Sequence, residues 1–352
     1  MRKLLFSAAC LSALQISAPV AAEEESYPKL SGELAIEVQD DWTFSSDDEE
    51  AELNDLYPTL TLATKLAFNE AFSLNLEATL EPVEDATDDR AFEDLGGFIN
   101  ILTANYDNEH FSVYVGKFTP NFGLAWDATP GLYSDDINGD LELAEMLGFG
   151  GEIPFTLAGE HAVSGSIFFA DTTFLSDSAG KSRGPLDEDD GGPANTESLS
   201  SFALALNGAF EALPGFDYHL GFSALEEGDD GDEAQLGYVA AVQYSHEISD
   251  GVTLTPLVEY AYLDNAGGVD GDSARYLTGA LGLEFGKWAA AATYQRRDTE
   301  SGGADTDDYV AAFTLGYSFD FGLGLSAGYR FSEEDNVDNR GLGVMAEYVI
   351  EF

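Results

Sequence analysis

Phe111-Ser-Val-Tyr-Val-Gly116 runs into Lys117-Phe-Thr-Pro-Asn-Phe-Gly123, and a long acidic segment, Leu124 to Leu147, separates it from Phe149. Phe111, Val113 and Val115 alternate with Ser112, Tyr114 and Gly116, the period of a half-buried strand. Phe149, Gly151, Ile153 and Phe155 restore that period. Between the two runs lie Asp127, Asp135, Asp136, Asp140, Glu142 and Glu145, with Leu132, Tyr133, Ile137, Leu141, Leu143 and Met146 among them. A connection of this length carrying scattered apolar side chains needs a surface to cover. Residues 120–147 are therefore expected to fold back into the hollow of a barrel and constrict it.

Outward from this stretch the period of two recurs. Leu30, Gly32, Leu34, Ile36, Val38, Trp42 and Phe44 share one face, and Glu33, Glu37 and Asp41 share the other. The run is about 15 residues long, whereas most strands stop near 5 or 6. Such length suits a tilted wall across a hydrocarbon layer. Leu56 to Phe68 and Phe72 to Leu80 follow, the latter with Glu77 and Glu81 on the polar face. Leu95 to Tyr106 alternates poorly and is placed by the hairpin rhythm. Later runs continue to Gly341–Phe352, for about 16 antiparallel strands in an all-β transmembrane barrel.

The connections carry the most specific signal. Even-numbered strands end in short turns such as 69–71, 107–110, 247–251, 286–287 and 320–322. Odd-numbered strands end in longer acidic loops, including 45–55, 84–94, 172–198, 226–233, 264–272, 298–308 and 333–340. This asymmetry is that of outer-membrane barrels, whose turns face the periplasm.

Composition agrees. Among 352 residues, 66 acidic against 14 basic side chains leave a net charge of −52, which repels nucleic acid. Arg2 and Lys3, an apolar stretch from Leu4 to Ile16, and Ala18-Pro-Val-Ala-Ala22 have the layout of a cleaved signal peptide, residues 1–22. The mature barrel, 23–352, then lacks cysteine, since Cys10 is the only one. No run of the mature chain approaches 18 apolar residues, so a membrane protein of this sequence must be a barrel. Export through the periplasm to the bacterial outer membrane is the expected route.

With these features the chain resembles the general diffusion porins of Gram-negative bacteria. The likeness rests on the strand count, the long third loop, the Lys117–Gly123 stretch, and a last strand carrying Tyr348, Ile350 and terminal Phe352. The resemblance implies a homotrimer of passive, water-filled channels for small hydrophilic solutes, set in lipid and lipopolysaccharide. It also implies that the barrel assembly machinery reads the C-terminal aromatic signal, and that acidic loop residues face basic wall residues. Here the wall departs from that pattern. Face parity turns Lys65, Arg297 and Arg330 inward and puts Lys117 at the loop entrance, but Glu33, Glu37, Glu77 and Glu81 also point inward. An acid-dominated lumen favours cations. The competing readings are a substrate-selective channel for cationic solutes or metal chelates, and a non-channel structural or adhesive barrel.

Two further motifs carry oxygen and nitrogen donors at suggestive spacing. Asp136-Ile-Asn-Gly-Asp140 followed by Glu142 places Asp136, Asn138, Asp140 and Glu142 at alternate positions around a glycine, as calcium loops do, without the closing bidentate glutamate. Calcium is the one ion this implies, and no other cofactor is expected. His219 and Ser223 share a lumen face, but no third group is evident to orient the imidazole, so no enzymatic activity is expected.

Overall fold

The computed structural model describes residues 26–352; the expected signal peptide lies outside the described residues. Sixteen antiparallel strands form a closed barrel. They are β1 Lys29–Ser46, β2 Asn54–Ala67, β3 Phe72–Pro82, β4 Leu95–Asp107, β5 Ser112–Phe118, β6 Met146–Thr156, β7 Gly159–Ala170 and β8 Ser201–Phe210. The second half comprises β9 Phe216–Leu225, β10 Gln235–Tyr244 (extended by His246–Ser249), β11 Val252–Asp264, β12 Ser273–Phe285, β13 Trp288–Ser301, β14 Ala304–Ser318, β15 Leu323–Glu334 and β16 Val337–Glu351. Each strand pairs with its sequence neighbours, and β1 closes on β16 in a register that includes Glu37 opposite Glu347. Gly32 and Phe352 exchange backbone hydrogen bonds of 2.9 and 3.0 Å, so the C-terminal residue completes the seam. Closure leaves no unpaired edge in the hydrocarbon.

The outer face is apolar, with Val113, Val115, Val163, Leu204, Leu220, Val258, Leu281, Leu315 and Val344 exposed on it. Aromatic clusters bound this band. Phe72, Tyr106 and Phe111 gather at the turn end, as do Trp288, Tyr317 and Phe319. Trp42, Phe44 and Tyr329 gather at the loop end, with Tyr294, Tyr309 and Phe331. Paired girdles around an apolar belt are the signature of a barrel spanning a bilayer.

Two features depart from the sequence expectation. The poor alternation of β4 comes from a bulge: Glu77 pairs with Ile101 but Ala78 with Ile99, leaving Asn100 as the extra residue. The bulge restores Phe98 to the inward face, and Asn100 donates to Glu77 and Thr79 at 3.2 and 2.9 Å. Residues 298–308 and 333–340 are not loops. β13 and β14 continue to a Gly302-Gly303 turn, and β15 and β16 to Asp335-Asn336, with positive φ at all four turn residues. Such two-residue turns match the twist of long hairpins. Their acidic side chains on both faces mark strands that have left the membrane, a pattern the sequence shares with loops.

The hydrophobic core lies inside the barrel. Phe122, Ile137, Leu141 and Leu143 of the third loop pack with Phe168, Leu225, Val239, Ala261, Leu263 and Val310 of the wall. Burying each large apolar side chain contributes about 1.5–3 kcal/mol, which offsets the entropy of ordering the segment.

Candidate pore constriction

The third loop, residues 119–145, leaves β5, lies along the inner wall and returns to β6. Its seat is built from small wall residues and inward polar groups. At Gly221 the carbonyl of Phe122 occupies the place of a side chain, and at Gly343 the Tyr133 hydroxyl does so. His219 Nε2 donates to the Phe122 carbonyl while its Nδ1 lies 2.6 Å from Asn207. The imidazole is thus an anchor for the loop, and Ser223 is buried without a bond to it.

Farther along, Glu259 accepts from the backbone N–H groups of Leu124 and Ala125 at 2.7 and 3.0 Å. These open the short helix Ala125–Ala128. Gln295, fully buried, accepts from the N–H groups of Ile137 and Asn138 at 3.0 and 3.1 Å and donates to the Tyr133 carbonyl at 2.7 Å. Thr314 accepts from Leu132 N at 3.1 Å, and Tyr133 donates to Asp41 at 3.0 Å. Wall side chains thus stand in for the strand partners that a loop backbone lacks.

The basic residues serve this attachment. Arg297 bridges Asp140 at 2.7 Å and Asp308 at 2.6 Å, and Tyr276 adds a bond to Asp140. Arg330 bridges Asp136 at 3.1 Å and lies over the Tyr133 ring. Lys117 does not face the pore. Its ammonium is sealed from solvent between Glu145 at 2.7 Å, Asp171 at 2.8 Å and the Leu175 carbonyl at 2.8 Å. Lys65 lies near the turn end of β2, 3.9 Å from Asp107, away from the loop. The loop and wall cations expected to cross the constriction are therefore spent as fasteners or stand outside it.

The acidic residues divide in two. Asp136, Asp140 and Glu145 are held in ion pairs, whereas Asp127, Asp135 and Glu142 face the remaining lumen. Opposite them stand Glu37, Glu77 and Glu81; Glu37 pairs in register with Glu347, whereas Glu33, paired with Glu351, lies toward the turn end of β1. Asp127 feels Glu77, Glu142 feels Glu77 and Asp135, and Glu81 feels Asp135 and Glu37. Carboxylates thus confront carboxylates across the opening. The four groups read as a calcium loop do not converge: Asp136 binds Arg330, Asn138 binds Thr278 and Ser134, and Asp140 binds Arg297. Among the described residues no cluster of three or more His, Cys, Asp or Glu has metal-binding geometry.

Enclosure in the barrel pushes Asp127 up to about 7, with Glu77 adding to the effect. Enclosure, then Asp136, pushes Asp135 up to about 6. Glu142 rises to about 7 through enclosure and then the charges of Asp135, Glu77, Asp127 and Glu145. A raised carboxyl is neutral below its value and charged above it, so the docked loop is favoured at low pH and accumulates repulsion as pH climbs through 6 and 7. Lowering the pH from 8 to 5 is accordingly expected to shrink the reversal potential in a salt gradient toward zero. A potential constant across that range contradicts this assignment.

The loop after β7, residues 171–200, has a role the sequence reading missed. It crosses above β5 and β6, and Ala179–Gly180 pairs with Gly97 and Gly96 of β4. Lys181 secures it to Glu84 at 2.7 Å and Asp94 at 3.1 Å. A closed, girdled barrel narrowed by an inward third loop is the fold of Gram-negative outer-membrane channels of the porin type. Similar solved structures are the outer-membrane channel DcaP of Acinetobacter baumannii (13% identity, 92% of this chain and 96% of that one, TM-score 0.60) and OccK9 (OpdG) of Pseudomonas aeruginosa (12%, 93% and 100%, 0.58). A loop-deletion mutant of the Vibrio cholerae outer-membrane protein OmpT is also similar (12%, 92% and 98%, 0.54). No family model and no curated protein matches the sequence.

Proposed function

We propose that the protein is an outer-membrane channel that passes small hydrophilic solutes passively through a water-filled, cation-favouring pore. The observation that carries this reading is the placement of Asp127, Asp135 and Glu142 opposite Glu37, Glu77 and Glu81, with Arg297 and Arg330 neutralised by the loop they hold. A lumen lined by one sign of charge concentrates counter-ions and excludes co-ions. The function needs no chemistry from the wall, and His219, an inward mid-strand imidazole, is occupied as an anchor. Liposomes carrying the protein are expected to swell faster in a small cationic amine than in a neutral polyol of equal size, and slowest in an anion. Equal rates for all three would contradict the charge filter.

A second reading, capture of a cationic solute, draws support from a cavity of about 400 Å³ on the loop side of the lumen, where Asp41, Asp55, Glu81 and Asp85 outnumber Arg90 and Arg330. Flux that saturates and is competed by a related amine would favour it. The proposal extends to export by the N-terminal signal, assembly through the strand ending in Tyr348, Ile350 and Phe352, and a homotrimer in lipid and lipopolysaccharide; a native mass of three chains is the check on the last.

A further inference from the structure

Arg90, Arg183, Arg296, Arg297 and Arg330 each bridge a carboxylate. In a chain of net charge −52, that is the expected state of a cation. Arg275 and Arg340 escape it. Both are exposed, and among the described residues neither holds a carboxylate or a backbone carbonyl. Their positions coincide with the loop-end girdle on the outer face. On β12, Arg275 shares its face with exposed Leu277 and Leu281 and stands opposite Tyr262 of β11. Its other register partner, Asp298 of β13, is turned to Arg296 at 2.7 Å. On β16, Arg340 shares its face with exposed Leu342 and Val344. It stands opposite Phe331, with its guanidinium 5.8 Å from the centre of that ring.

Side chains at the level of an aromatic girdle meet lipid headgroups rather than hydrocarbon. The apolar stem of an arginine lies along the girdle while its guanidinium stays among the headgroups. A planar fork of donors without a protein acceptor matches a phosphate, a group that the surrounding acidic loops would otherwise repel. We propose that Arg275 and Arg340 are lipid sites, each binding a phosphate of a phosphorylated glycolipid, lipopolysaccharide, in the outer leaflet. They lie four strands apart, about 19 Å around the wall, so each takes a phosphate of its own. This inference rests on the outer-membrane reading and not on conduction.

The test is titration of the purified barrel in non-ionic detergent with deep-rough lipopolysaccharide, with EDTA present and bound lipid read by native mass spectrometry. Arg275→Gln and Arg340→Gln are each expected to weaken binding about fivefold, and the pair about thirtyfold, as loss of one and two cations facing an anionic lipid does. Arg296→Gln, whose guanidinium is already held by Asp298 and Asp307, is expected to keep the parent affinity. The same glycolipid stripped of phosphate is expected to bind the parent and the double variant equally weakly. Parent affinity in the double variant overturns the proposal, as does an equal loss in Arg296→Gln. Binding that EDTA abolishes also overturns it, because divalent ions on carboxylates then hold the lipid. Complete displacement by inorganic phosphate does so too, since the arginines then serve the free ion. The double variant is expected to conduct as the parent does, because neither side chain faces the lumen. A folded parent that binds the lipid but passes no current overturns the channel reading alone.

Discussion

Replacing Asp127, Asp135 and Glu142 together with Asn, Asn and Gln is expected to lower the potassium-over-chloride permeability ratio about tenfold at pH 8, since each screened charge beside the path is worth roughly 0.5 kcal/mol in a water-like medium. These three loop carboxylates face the lumen without a cationic fastener. A control neutralising Asp136 and Asp140 acts differently. Those groups balance Arg330 and, together with Asp308, Arg297, so their loss frees the Arg330 guanidinium, leaves Arg297 on Asp308 alone and loosens the loop. Reversal potentials at fixed pH separate the two sets. If the triple variant keeps the parent ratio, the loop carboxylates are not the filter.

Gln295→Leu is expected to have the largest effect on pore width. Leucine fills similar space but leaves the N–H groups of Ile137 and Asn138 and the carbonyl of Tyr133 unpaired. Each buried orphan costs about 1–3 kcal/mol, so the loop tip gains by moving into water. Its departure is expected to raise single-channel conductance about twofold, because the narrowest part of a pore dominates its resistance. Cleavage at Glu142 or Glu145 by a glutamate-specific protease should accelerate in the same variant. A parent-like conductance together with parent-like cleavage would show that Gln295 does not hold the loop.

The barrel was legible in the sequence because the lipid-facing period of two is enforced at nearly every strand, and β1 and β3 show it plainly. β4 was obscured by one bulged residue, Asn100, which shifts the faces on either side of it. The third loop was legible from its apolar content, since Phe122, Ile137 and Leu141 require a buried seat. Which carboxylates face water was not, because parity gives direction and not partners. Lys117 stands where the third loop leaves β5, yet Asp171 and a backbone carbonyl from a loop more than 50 positions away enclose it. Removing one partner of such a buried pair costs about 3–5 kcal/mol, so its placement reflects folding more than conduction. The inward attachment of loop 171–200 was not legible for a related reason. Its attachment uses a two-residue bridge and the carbonyls of Leu175 and Ser176, which leave no mark in side-chain pattern.

The most direct measurement is the single-channel current of the purified protein in a planar bilayer, with the zero-current potential read across a tenfold potassium chloride gradient at pH 8. The facing carboxylates predict stable ohmic steps and a zero-current potential of the sign set by potassium moving down its gradient. Steps with a chloride-favouring potential, or a folded barrel that never conducts, would contradict an open pore filtered by the acidic third loop.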